Sequence, residues 1–322
     1  MKLLTLNTHS LIEENYQWKL EQFAAFIERE LPDVFCQQEV NQTRTADIIP
    51  EEELEGFVRN SEMKMKLKKG YEAEKKEEQE RLEEKEKSEK SKLHVEVNPD
   101  EVIQEEAIRE DNHAAVLASI LKQRGINYHW TWTGAKIGYG KYDEGLAVFS
   151  RSPILQTRQF YISKSHDYSN WKSRKILGIQ TDQNTWFYTM HMGWWSDEEE
   201  PFKDQWERFQ TSDIHMKEQE VWLLGDFNSP CDVRGEGYDE IKSYGWLDTW
   251  ELAEVKDAGI TVSGQIDGWR DTGKQGNTES QNGMRIDYIW TNQNRPIKKS
   301  QVVFDGSRDP IVSDHFGVMV ET

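Results

Sequence analysis

Residues 2–7 (KLLTLN) and 33–40 (DVFCQQEV) each begin apolar and finish polar, the pattern of a core strand whose last residues leave the core. Between them, QWKLEQFAAFIEREL sets Leu20, Phe23, Ala24, Ile27 and Leu31 at helical spacing, so the first forty residues predict a β-α-β unit. A second helix is expected over about 111–124 (DNHAAVLASILKQR), closed by Gly125 as its C-cap. YHWTWT, EGLAVFSRSPI, RKILGIQT and NTWFYTMHM then read as strands. A polar and aromatic helix is expected around 201–218, followed by the strand VWLLGD. MRIDYIWT, QVVFDG and HFGVMVE read as strands near the C-terminus. Helices interspersed among many strands with hairpin-like neighbours predict a mixed-sheet α+β domain rather than a regular βα repeat, and no fixed-period repeat appears. The whole of 1–322 reads as one catalytic domain.

Composition changes this picture in one place. Residues 61–92 hold 11 basic and 10 acidic residues, a net of +1, so the −19 of the chain belongs to the rest of it. With no apolar stripe to dock it, 61–92 reads as a charged insertion without a catalytic role. An acidic body argues against a partner held by many phosphate contacts, so no nucleic acid is expected. No run is long and apolar enough to span a bilayer, and the N-terminal apolar run is too short for a signal peptide. Cys36 and Cys231, too few for a disulfide framework, read as free thiols, and a cytoplasmic setting is expected.

The stretch LLGDFNSP (223–230) carries a core-like strand straight into Asp226 and Asn228, two apart and therefore on one face. A turn explains the same residues for backbone reasons, but the pattern recurs. Asn7, Glu39, Asp287 in RIDYIW, and Asp314 with His315 in VSDHFGV also follow or interrupt apolar runs, where polar groups are costly unless paired or liganded. Together they point to one convergent site whose oxygens suit Mg²⁺ or Mn²⁺. HExxH, paired CxxC, GxxxxGK[ST] and GxSxG are all missing, and GAKIGYGKYDEG does not match GxGxxG. What remains is metal-assisted attack of water on an electrophile, with phosphorus the natural candidate.

LNTH (6–9), QQEV (37–40), EGLAVFSRSPI (144–154), HMG (191–193), GDFN (225–228), RIDYIW (285–290) and SDHFG (313–317) resemble the endonuclease/exonuclease/phosphatase superfamily, in that family's order. The resemblance implies a four-layered α/β sandwich, two packed sheets with helices outside, and Mg²⁺-dependent cleavage of a phosphate ester. Carried over residue by residue, it puts Glu39, Asn7 and Asp314 at the metal, with Asn7 and Asn228 positioning phosphate oxygens and water. Asp226 would orient or deprotonate the attacking water, Asp287 would pair with His315, and His191 would contact the phosphoryl group. Some nucleases of the family have an acid two residues after the first Asn; here that position is His9, which favours a one-metal site.

IGYGKYDEGLAVFSRSPI, HMGWWSDEEEPFKDQW, IDGWRD and VVFDGSRDPIVSDHFGV are similar to the bacterial sugar-phosphatase branch acting on maltose 6′-phosphate. The expected partner is then a small sugar phosphate. Trp194, Trp195 and Trp269 offer flat apolar faces with a polar handle, and Arg174 or Lys175 a phosphate contact. Two other classes compete: a phosphodiesterase of the same fold (nuclease or sphingomyelinase-like) and a binding module that lost its chemistry. The first lacks a basic aromatic groove; the second is disfavoured because every motif residue is present.

Overall fold

The computed structural model describes residues 1–59, 107–212, 219–264 and 283–322. The charged insertion at 61–92, residues 213–218 of the expected third helix, and Trp269 lie outside the described residues. The first sheet contains β1 (Lys2–Asn7), β2 (Val34–Thr43), β3 (His129–Gly138), β4 (Tyr142–Ser150), β10 (Ala253–Lys256), β12 (Ile297–Val303) and β13 (Gly317–Glu321). Its order is β10-β12-β13-β1-β2-β4-β3. The second contains β5 (Gln156–Tyr161), β6 (Lys175–Gln180), β7 (Thr185–His191), β8 (Glu220–Asp226), β9 (Leu247–Asp248) and β11 (Asp287–Thr291), ordered β5-β6-β7-β8-β11-β9. Both sheets mix parallel pairs (β1 with β2, β7 with β8) and antiparallel ones (β1 with β13, β8 with β11).

Three apolar layers hold the assembly together. Leu3, Val34, Cys36, Val148 and Val320 of the first sheet pack on Leu177, Phe187, Trp222, Leu224 and Ile289 of the second. On the outer face of the first sheet lie α1 (Tyr16–Glu30) and α2 (His113–Gln123), which bury Leu20, Phe23, Ile27, Leu117 and Leu121 against Leu4, Leu6 and Phe35. On the outer face of the second, α3 (Phe202–Thr211) and α4 (Gly237–Ser243) bring Phe202, Trp206, Phe209 and Ile241 against Trp186, Tyr188, Leu223 and Trp290. This is the expected four-layered sandwich, and it explains the apolar strands: both faces of most of them are covered.

Local signals set the boundaries. α1 stops at Glu30, one residue short of Leu31, because Pro32 disfavours helical backbone in the residue before it; Leu31 instead caps the helix with φ 48°. Asn112 caps α2, its side-chain oxygen accepting from the Ala115 N–H at 3.1 Å, and Gly125 takes φ 80° just beyond the helix. β2 runs to Thr43, past the expected end at Val40, because a bulge between Gln37 and Val40 lets pairing with β4 resume. The stretch GAKIGYGKYDEG is the end of β3, its hairpin turn and the start of β4.

The inter-sheet gap changes character along the strands. Period-two alternation puts Leu3, Thr5 and Asn7 on one face of β1; Phe187, Thr189 and His191 on one face of β7; and Trp222, Leu224 and Asp226 on one face of β8. The gap therefore goes from apolar to a hydroxyl-amide layer. There the Gln38 side-chain amide donates to Thr189 Oγ1 at 2.8 Å, crossing from one sheet to the other. One residue pair further on it becomes ionisable.

Gly225 lies in the middle of this transition. A Cβ there would overlap the carbonyl oxygen of Met190 on the neighbouring parallel strand. Gly225→Ala is therefore expected to cost on the order of 3 kcal/mol by overpacking against backbone that cannot retreat. Urea denaturation checks this; an unchanged midpoint would refute the close approach.

Candidate active site

The ionisable end of the gap opens into a cavity of about 230 Å³ whose lining includes Glu39, Lys136, Glu144, Arg174, His191, Asp226, Asn228, Asp314 and His315. It gathers the C-terminal ends of β1, β7 and β8, the bulge in the middle of β2 and the starts of β4 and β11, with His315 just before β13.

Asp226 stands at the centre. Its Oδ1 accepts from the Asn228 backbone N–H (2.8 Å) and its Oδ2 from the Asn7 amide (3.2 Å). Oδ2 also lies 3.7 Å from His191 Nε2 and 3.8 Å from His315 Nε2. Burial raises its pKa to about 7; His315 opposes the rise and Asp287 adds to it. Asp287 Oδ2 meets His315 Nδ1 at 2.9 Å with both side chains buried. Burial alone would lower the His315 pKa, but the charges of Asp287 and then Asp226 outweigh it and hold it well above the ordinary value. His191 goes the other way: burial, with Arg174 and Lys136 nearby, holds it well below. The site thus pairs a cationic histidine with a neutral one across one carboxylate.

Glu39 reaches the cavity because the β2 bulge re-aims it, with φ 52°. The Asn7 amide donates to its Oε1 at 2.9 Å and so bridges it to Asp226. Burial raises its pKa, as do the charges of Glu144 and Asp314. Asp314 is the partly exposed wall of a second group: His9 Nδ1 bonds Glu13 Oε1 at 2.8 Å and lies 3.9 Å from Asp314 Oδ1, while the Asp314 N–H donates to Glu13. Burial lowers the His9 pKa, but the bond to Glu13 and the charges of Asp314, Glu39 and Glu13 bring it up to about 9.

These donors fit a divalent cation. Glu39, Asp314 and Asp226 could supply oxygen ligands, the type a hard divalent cation prefers, and burial together with neighbouring acids raises the pKa values of Glu39 and Asp226. Glu39 and Asp314 would hold the ion, with Asp226 held beside Glu39 by the shared Asn7 amide.

Arg174 and Trp194 reach the cavity, whereas Lys175 donates to the Gly134 carbonyl at 2.8 Å. Trp195 turns onto Phe202, ring centroids 6.1 Å apart, in the layer beneath the second sheet. His113 is buried between Tyr16 and Gln37. Sequence reasoning missed Glu13, Lys136, Tyr139, Glu144 and Trp171. Lys136 and Glu144 form an ion pair at 3.0 Å across the β3–β4 hairpin, and only the alternation of Glu144, Leu146 and Val148 could have placed Glu144 on the inter-sheet face.

Residues 4–315 match the model of the Endonuclease/Exonuclease/phosphatase family, and the chain belongs to that family. It is thereby a metal-dependent phosphoric ester hydrolase. Solved structures agree. An endonuclease/exonuclease/phosphatase family protein from Leptotrichia buccalis is 28% identical, covering 100% of this chain and 98% of that one, with a TM-score of 0.72. The Bacteroides thetaiotaomicron mannosyl-6-phosphatase (14% identity, 100% and 98% coverage, TM-score 0.55) shares the fold. So does a Neisseria 3′ phosphatase bound to product DNA hairpin (16%, 100% and 98%, TM-score 0.54). No curated protein matches the chain. Among the described residues no helix is long and apolar enough to cross a membrane.

The raised Asp226 pKa has a consequence for stability. Between the ordinary value of 3.8 and about 7, the folded chain holds this proton and the unfolded chain does not, so stability falls as pH rises through that window. In chelator, Asp226→Asn should therefore melt at a higher temperature than wild type at pH 8, with the gap closing toward pH 4. Thermal scans across pH decide it, and a wild type that gains stability over that interval relative to the variant contradicts the assignment.

Proposed function

We propose that this chain is a cytoplasmic, Mg²⁺-dependent phosphomonoesterase that hydrolyses a phosphorylated disaccharide, maltose 6′-phosphate, to maltose and phosphate. The observation that carries the reading is Arg174. Its guanidinium is buried at the cavity, only 4% exposed, and its Nε has no hydrogen-bond partner. A buried, unpaired guanidinium N–H costs free energy unless an anion takes it, and a phosphate fits its planar fork. Lys136 is already paired with Glu144, which leaves Arg174 as the buried guanidinium at the cavity offered to a phosphate. The small cavity and the acidic body suit a small substrate over a polynucleotide. Two free cysteines, Cys36 buried, accord with a reducing compartment.

In this reading the cation would neutralise charge on the phosphoryl oxygens and polarise phosphorus. Arg174 binds the phosphate, and Asp226 takes a proton from the attacking water. The Asp287-held His315 faces the phosphoryl group as a cation and offsets charge developing on oxygen. Neutral His191 donates a hydrogen bond without adding charge. Asn7 and Asn228 keep Asp226 oriented.

Two measurements test this. With Mg²⁺, phosphate release from maltose 6′-phosphate should exceed that from glucose 6-phosphate and trehalose 6-phosphate, vanish in EDTA, and fall about 10³-fold in Asp226→Ala; cleavage of only bis-p-nitrophenyl phosphate or plasmid DNA would overturn the reading. Mg²⁺ should also raise the melting temperature of the wild type by mass action, and Glu39→Gln should abolish that shift. An equal shift in the variant would remove Glu39 from the ion.

A further inference from the structure

Trp171 and Trp194 both line the cavity, from two loops that no regular element supports. Their ring centroids are 5.8 Å apart at 55°. Trp171 is 52% exposed, a large apolar surface left at the mouth of a charged site, whereas Trp194 is only 8% exposed. The Trp194 indole N–H is buried with no hydrogen-bond partner. Trp186, Trp206 and Trp290 also bury an unpaired N–H, but they belong to the apolar layer beneath the second sheet, while Trp194 borders the cavity. An apolar face beside a waiting donor is what the ring of a sugar requires: C–H groups on one side and hydroxyls at the rim.

The loops are built to hold this pair still. The buried Glu200 carboxylate accepts from the Lys164 and Ser165 backbone N–H groups at 2.7 and 2.6 Å, tying the second loop to the first. Lys172 crosses back to Asp197 at 2.9 Å and lies 5.5 Å from the Trp171 ring centroid. Most telling, Arg174 Nη1 donates to the Trp171 carbonyl at 3.0 Å. The guanidinium assigned to the phosphate therefore also fixes the backbone that carries the exposed indole.

We propose that Trp171 and Trp194 form a pyranose subsite at the cavity mouth, with Trp171 stacking on the sugar face and Trp194 Nε1 donating to a sugar hydroxyl. The subsite is set at a fixed distance from the phosphate by Arg174. The inference rests on the phosphomonoesterase reading and adds the element that distinguishes a phosphate on a sugar from a phosphate on any small alcohol.

Steady-state kinetics on the Mg²⁺-loaded full chain test it, with maltose 6′-phosphate and glycerol 3-phosphate, which has no ring, run side by side. Trp171→Ala should raise KM for maltose 6′-phosphate about tenfold, close to the value of one aromatic contact. kcat for that substrate should stay nearly level, and KM for glycerol 3-phosphate should move less than twofold. Trp171→Phe should restore most of the loss. Trp194→Phe, which keeps a ring but removes the N–H, should raise KM for the sugar phosphate alone. Equal losses on both substrates, a fall in kcat without change in KM, or no effect of either variant would each overturn the subsite. Failure of the wild type to hydrolyse any phosphomonoester would be a different result: it would overturn the underlying reading before a variant is made.

Discussion

Charge is tolerated between two packed sheets only where the gap ends, and the architecture of this site follows from that constraint. Each strand contributing to the gap must stay apolar until its last inward position and then turn polar at once. Leu3, Thr5 and Asn7 do so on β1, and Trp222, Leu224 and Asp226 on β8. Because β1 and β2 run parallel, as do β7 and β8, the polar ends arrive together at one edge of the sandwich. The acids are then closer than water would let them be at no cost. Their mutual repulsion is offset by the neighbours that the chemistry needs: His315 on Asp287, the Asn7 amide between Glu39 and Asp226, and Lys136 on Glu144.

This explains why so much of the site was legible in the sequence. A polar residue at the border of an apolar run is a one-dimensional signal: Asn7 and Asp226 close such a run, and Asp287 and His315 stand just before one. Glu39 carried it too, although its aim depends on a bulge that the sequence does not announce. Lys136 and Glu144 were hidden because the hairpin joining them is rich in glycine and polar residues, so no apolar run ends at either one. Trp171 sits in a polar loop, and its relevance appears only when Arg174 and Trp194 are placed beside it. Trp194 and Trp195 are adjacent and chemically identical, yet Trp194 borders the cavity whereas Trp195 packs on Phe202 in the layer beneath the second sheet. Leu31 fits the helical stripe of α1, and Pro32 alone excludes it.

The backbone also records the location of the site. Eight non-glycine residues among those described have positive φ, and four of them, His9, Glu39, Tyr139 and Asn228, line the cavity. Such conformations cost of order 1 kcal/mol each and persist where packing over-determines them. Here the surrounding sheets supply that packing, and the return is side chains aimed across the gap rather than along it. Rigidity of this kind suits a reaction whose catalysis is mostly positioning and electrostatics.

The position of β13 has a consequence for how the molecule comes into being. It is the last described strand, yet it lies in the interior of the first sheet, between β12 and β1, and pairs directly with the first strand. Asn7 and His315, more than three hundred residues apart, thus both reach Asp226. During synthesis β1 leaves the ribosome well before β13, so the edge that β13 covers stays unpaired until that distant strand follows. Until β13 pairs with β1, His315 has no fixed place beside Asp226 and Asp287, so the site is completed only once this long-range pairing forms.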